Sequence, residues 1–201
     1  MESEKEINNN DFDYVDLGRP SGTLWAKCNV GASNPLDYGL YFQWGDIKGY
    51  TKEQIGKVKQ FTWDDYKFNP SGDGYTFTKY ATKGETLDLE DDAANTNMGG
   101  SWHMPTPEQI QELIDNTTKY FTIREMKLVS KKDESKYIFF PCGGFSCDGS
   151  ADKNGGYGSF WTSMLDEDYV NYGNNFYFNS KFSCLDGFDR FNGSSVRGVI
   201  G

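Results

Sequence analysis

The chain has 201 residues and a formal net charge of −10; 36% of its residues are hydrophobic and 16% aromatic. So acidic a surface repels phosphate backbones, which argues against nucleic acid as a partner. No apolar run approaches the roughly 20 residues that span a bilayer. The length fits one domain, expected over residues 12–201, and the 15 Phe, 13 Tyr and 5 Trp can fill a core that is short of aliphatics.

Residues 1–11 are polar and charged, with no apolar signal core, and read as a disordered leader. As given, the chain is therefore expected to be cytoplasmic or phage-borne, or cell-surface if it is a trimmed piece of an exported protein. Phe12 to Leu17 alternates apolar and polar, as a strand does. Arg19-Pro20-Ser21-Gly22 signals a turn into a second strand, Thr23 to Val30, so a hairpin is expected. Asn34 to Gly39, with Pro35 just inside its start, reads as a capped helical turn. Residues 46–90 have no clear period and read as a long insertion loop pinned by Phe61, Trp63, Tyr66, Tyr75, Phe77 and Tyr80.

The strongest helix signal is 107–117. Thr106 can cap it, Pro107 suits the first helical position, and Ile110, Leu113 and Ile114 form one apolar stripe. Strand-like segments follow at 121–129, 136–141, 158–163, 174–180 and 194–200, separated by Gly, Asn and Asp. A hairpin, short helices, long loops and then antiparallel strands make an α+β domain.

Three stretches resemble a known family. They are Tyr14 to Ala32, Asp92-Ala93-Ala94-Asn95 with Gly99 to Thr106, and Gly158 to Ser163 with the closing Ser195 to Val199. In this order they resemble the fibrobacter major paralogous domain family, common in gut bacteria of the Bacteroides type. That family is similar to the formylglycine-generating (sulfatase-modifying factor) branch of the C-type lectin fold. His103 departs from it, since the family usually has Arg there. The resemblance implies a C-type lectin-like fold with antiparallel strands, two short helices and long loops. Sugar stacking is one use for its tryptophans; core packing is the reading expected for Trp25, Trp44, Trp102 and Trp161.

Catalytic signals are sparse. The cysteines Cys28, Cys142, Cys147 and Cys184 form no CxxC pair, so zinc is not expected, and their pairing as disulfides stays open. The resembled enzymes bind copper through a cysteine pair, and Cys142 and Cys147 have a similar spacing. Their pair follows the Gly-rich strand, however, whereas Cys142 and Cys147 precede Gly158. His103, the one histidine, lies between Trp102 and Met104 and reads as packed. The acidic runs Asp64-Asp65, Glu90-Asp91-Asp92 and Asp166-Glu167-Asp168 show no spatial pairing. Calcium needs six to eight oxygens, for which Asp166, Glu167, Asp168, Asn171, Asp148 and Asp152 are candidates. The Glu-Pro-Asn triplet of sugar-binding lectins is missing. A non-enzyme without a cofactor is expected.

Residues 161–197 are dominated by Asn, Asp, Tyr, Ser, Gly and Phe, the palette of antibody paratopes. This block resembles the variable proteins of diversity-generating retroelements, in which adenine-directed mutagenesis rewrites Asn-type codons. Phe182, Cys184, Leu185, Asp186, Gly187, Phe188 and Asp189 read as its diversified loop. The expected function is display of a surface to a protein or glycan ligand, as a diversified receptor or a non-diversified adhesin. The expected contacts are Tyr169, Asn171, Tyr172, Lys181, Phe182, Leu185, Asp186, Phe188 and Asp189.

Overall fold

The structure, a computed structural model, describes residues 12–151 and 155–201. The expected leader and Asp152 lie outside them. Thirteen short strands and two α-helices make up the regular structure, a β-rich arrangement in the α+β to mostly-β range.

The opening hairpin forms as expected. β1 (Tyr14–Asp16) pairs antiparallel with β2 (Leu24–Ala26). The turn between them closes through Gly22 N–H to the Arg19 carbonyl, with Gly22 at φ 78°, where other residues are strained. Residues 34–39 correct the reading of a helical turn. Asn34 accepts from Leu36 N–H through Oδ1 and from Asp37 N–H through its carbonyl, which closes a turn that never propagates into helix. β3 (Tyr41–Phe42) follows.

The insertion loop has no α-helix or strand, only 3-10 turns at Trp63–Asp65 and Leu89–Asp91. Aromatics anchor it: Phe61, Tyr66 and Tyr80 are buried, and Trp63 and Phe77 pack edge-on around Tyr66. Tyr75, 80% exposed, is not an anchor. Asp65 ties the loop to itself by accepting from the backbone N–H of Gln60, Phe61 and Thr62 and from Gln43 Nε2.

The first helix, α1 (Ala93–Met98), went unread in the sequence. Asp92 caps it, one carboxylate oxygen accepting from Asn95 N–H and the other from Met104 N–H. The second, α2 (Pro107–Asp115), starts where expected, with Thr106 and Gln109 forming a reciprocal capping box. It buries Ile110 and Leu113. It ends at Asp115 because β4 (Thr117–Phe121) begins two residues later.

The expected strand 121–129 is borne out over 125–129, in β5 (Glu125–Ser130), but residues 122–124 are a turn that sets Phe121 at the end of β4. Thr122 makes the turn, its hydroxyl accepting from Arg124 and Glu125 N–H. With β6 (Tyr137–Pro141) these form a three-stranded sheet. After the small β7 (Ser146–Cys147) and β8 (Ser150–Ala151), the chain builds β9 (Tyr157–Leu165), β10 (Tyr172–Asn179) and β11 (Ser183–Asp189). The expected single strand 194–200 is two, β12 (Ser194–Ser195) and β13 (Val199–Ile200). The break lets the chain leave the central sheet, ordered β11-β10-β9-β12-β3, and join β2. Among the described residues, all pairings between these strands are antiparallel except β12 with β9.

The central sheet carries apolar side chains on both faces. Phe160, Phe176 and Phe178 join α2 and the β4-β5-β6 sheet in one core, whereas Trp161 joins Trp44, Trp102 and α1 in the other. Trp25, Trp44, Trp102 and Trp161 are all fully buried, as the packing reading expects. Trp44 Nε1 donates to the Thr162 carbonyl and Trp161 Nε1 to the Phe42 carbonyl, which stitches β9 to β3.

Two fully buried arginines near the end of the chain have no carboxylate partner in hydrogen-bond reach among the described residues. Arg190 donates to Tyr66 Oη and to the carbonyls of Tyr80, Val170 and Lys79, and lies over the rings of Trp44, Tyr66 and Phe77. Arg197 donates to Asn29 Oδ1 and to the carbonyls of Ala26, Lys27 and Phe139, over the ring of Phe140.

Candidate binding surface

The segment read as a diversified loop is a strand. β11 is the edge of the central sheet, paired along its whole length with β10, from Tyr172 opposite Asp189 to Phe178 opposite Ser183. Asp186 and Gly187 are poor strand formers, so local propensity hides it; cross-strand pairing holds it. No residue of β11 is buried.

The two-residue period of a strand sorts the expected contact residues. Cys184, Asp186 and Phe188 share a face with Gly173, Asn175 and Tyr177 of β10. Ser183, Leu185 and Asp189 share the opposite face with Tyr172, Phe176 and Phe178. Leu185 packs against the core of Phe176, Phe178 and α2, and Phe188 on the other face packs against that of Trp44 and Trp161, each remaining half-buried. Lys119 reaches the face of Leu185 and donates to Ser183 Oγ.

The remaining residues form two groups on a hairpin about 24 Å long at ~3.4 Å per residue, and they adjoin where Asp189 of the first follows Phe188 of the second. Tyr169, Asn171, Tyr172 and Asp189 meet where β9 turns into β10. Tyr169 and Tyr172 rings lie 5.5 Å apart, and Asn171 hydrogen-bonds the Asp189 carboxyl. Burial raises the Asp189 pKa, and the Asp189 charge raises that of the Tyr172 hydroxyl. Asp166 closes this turn by accepting from Asp168 and Tyr169 N–H.

Lys181, Phe182, Asp186 and Phe188 lie on the hairpin turn and the other sheet face, in company the sequence reading missed. Phe145, Tyr157, Tyr177 and Phe188 form a closed ring of contacts, with centroids 6.0 Å apart for Phe145–Tyr157, 5.5 Å for Tyr157–Tyr177, 5.9 Å for Tyr177–Phe188 and 5.5 Å for Phe145–Phe188. Phe182, 52% exposed, adds to it at 5.8 Å from Tyr177. The other four rings are half-buried. Tyr177 could have been found: in Phe176-Tyr177-Phe178 the strand period sets it opposite two core phenylalanines. Phe145 gave no such signal, because only the fold brings β7 to β11.

The residues weighed for catalysis have structural partners. His103 Nδ1 lies 2.8 Å from the Met104 carbonyl oxygen and Nε2 3.1 Å from that of Gly201. The four cysteines are free thiols; burial pushes Cys142 up to about 11 and also raises Cys147. Asp88, Glu90 and Asp91 cluster closely enough to hold a cation, but the Lys79 ammonium ion-pairs with all three. Lys67 also pairs with Asp91. No helix among the described residues is long and apolar enough to cross a membrane. Compared with known proteins, the chain matches no family model, no curated protein and no solved structure.

Proposed function

We propose that this chain is a non-catalytic binding domain that presents the β10–β11 hairpin to a protein or glycan ligand. The observation that carries the reading is the aromatic face of Phe145, Tyr157, Tyr177, Phe182 and Phe188 beside an edge strand without a buried residue. A contiguous apolar patch left accessible on a folded domain marks an interaction surface. Its rigid rings and short polar neighbours suit recognition at low entropic cost.

The finer proposal is a C-type lectin-like fold akin to the fibrobacter major paralogous domain, with this hairpin diversified by a retroelement. The order of hairpin, helices and antiparallel strands supports the fold. Diversification is supported by the exposure of Phe182 and Asp186, which belong to no core cluster, and by the half-buried Cys184 between them. No cofactor is invoked, and calcium is set aside because the Asp166 carboxylate already serves its own turn. A catalytic role is not proposed, since His103 faces two carbonyls and burial keeps the Cys142 thiol protonated near neutral pH.

A saturation library of residues 172–190, sorted for folded protein on a cell surface, tests the reading. Phe182, Cys184 and Asp186 should accept most side chains, while Phe176, Phe178 and Arg190 should accept few. Equal intolerance on both faces would refute a display surface. Beside the gene, an adenine-rich near-copy of the last ~40 codons, a span of a few strands and turns, together with a reverse transcriptase, would establish diversification. Without them the chain is a non-diversified adhesin module.

A further inference from the structure

Resting on the binding reading above, we infer that the aromatic face takes a cationic partner: an arginine- or lysine-bearing segment of another protein. Three observations converge on this chemistry. The first is the ring faces themselves. Elsewhere the chain sets its own cations over some of its aromatics, Lys127 Nζ standing 3.8 Å from the Tyr137 centroid, the Arg190 guanidinium 4.2 Å from Phe77 and Lys67 Nζ 4.4 Å from Phe68. Among the described residues no lysine or arginine stands over Phe145, Tyr177, Phe182 or Phe188. Phe182, 52% exposed, presents its ring to an outside cation at the edge of this cluster.

The second is local charge. Asp186 is exposed on the same strand face, between Cys184 and Phe188, with Oδ1 accepting from Gly187 N–H. Asp148 and Asp189 both bear electrostatically on Cys147, two residues from Phe145. Of these, Asp186 shares the strand face of Phe188 and Tyr177, while Asp189 stands on the other face beside Tyr172; against them stands Lys181 on the hairpin turn. The third is the field of the whole chain, whose net charge of −10 draws cations and repels anionic ligands. An exposed ring near the exposed Asp186 carboxylate on an acidic chain matches a guanidinium or ammonium better than a neutral sugar, for which the acid brings no gain.

The test is an aromatic NMR titration of the full chain with three probes: a blocked peptide of alternating glycine and arginine, its glycine–glutamate counterpart, and maltohexaose. The arginine peptide should shift the rings of Tyr177, Phe182 and Phe188 saturably, leaving the exposed Tyr14 and Tyr120 unmoved; the glutamate peptide should shift none. Asp186→Asn and Phe182→Ser should each weaken binding about two- to fivefold, the worth of one exposed cation contact. Phe182→Ser removes an exposed ring, so its unchanged melting temperature separates lost binding from lost folding. Equal shifts at Tyr14 and Tyr120 would mean unspecific attraction to an acidic chain and would overturn the inference. Movement of the patch by maltohexaose alone would overturn it too, while keeping the binding surface. With no probe acting there, the cationic partner is refuted, and the library sort above still decides the binding reading separately.

Discussion

Replacing Arg190 with Met removes a charge from a site that holds it by carbonyls and rings alone. Its four hydrogen bonds run to Tyr66 Oη at 2.8 Å and to the carbonyls of Tyr80 at 2.9 Å, Val170 at 3.1 Å and Lys79 at 3.2 Å. Hydrogen bonds to charged groups contribute ~1.5–3 kcal/mol each, so four contribute about 6–12 kcal/mol. Against this stands the cost of desolvating the cation, several kcal/mol in a real protein, and burial does pull the Arg190 pKa down. The balance is a loss of about 3 kcal/mol in Arg190→Met, since three carbonyls keep their burial and lose their donor. In a domain of this size that lowers the melting temperature by about 6–12 °C. Urea unfolding, followed by tryptophan fluorescence and circular dichroism, measures it. An Arg190→Met protein as stable as the parent, or more stable, would show that desolvation outweighs the bonds and that Arg190 does not pin the insertion loop to β11.

Three further expectations follow from the same geometry. Leu185→Ala should cost about 2 kcal/mol, as a half-buried leucine facing the core does, whereas Phe182→Ser and Asp186→Ala should change stability by less than about 0.5 kcal/mol; equal costs in denaturant melts would remove the distinction between the two faces. Asp92→Ala should cost about 2 kcal/mol by orphaning the N–H groups of Asn95 and Met104, and Asp92→Asn much less, because one acceptor remains. A similar loss in both variants would mean that the charge of Asp92, not its hydrogen bonding, holds α1. Burial pushes Asp65 up, but hydrogen bonds from Thr62 and Gln60 and the Lys59 charge outweigh it, so its folded pKa lies below the ordinary aspartate value. A depressed carboxyl stabilises the fold above its unfolded pKa and loses that contribution as pH falls through the folded value. The stability gap between parent and Asp65→Asn should therefore shrink from about pH 5 to about pH 2; a constant gap would refute the role given to the ionised carboxylate.

Much of this arrangement was legible in the chain because it depends on short-range causes. The β1–β2 hairpin follows from an alternating pattern and a Pro-Ser-Gly turn. The start of α2 follows from Thr106, Pro107 and Gln109 acting within one helical turn. The insertion loop follows from the lack of any period, and the buried tryptophans from a composition short of aliphatics. Where the reading failed, the deciding partners are distant in sequence. α1 depends on Asp92 also capturing Met104 N–H. The strand β11 runs against the propensities of Asp186 and Gly187 and exists because β10 supplies its hydrogen bonds.

The candidate surface divides along the same line. That residues 169–189 hold aromatic and small polar groups is plain in the sequence, and so are Phe182, Asp186 and Phe188 as members. Tertiary structure alone turned Leu185 and Phe188 toward opposite cores, set Tyr169 and Asn171 away from the Phe182 end of the hairpin, and brought Phe145 beside Tyr157 and Phe188. A sequence states which side chains exist and, by its period, which neighbours share a face. Which faces meet is settled by long-range burial and by strand pairing between segments far apart in the chain, and no local pattern encodes it.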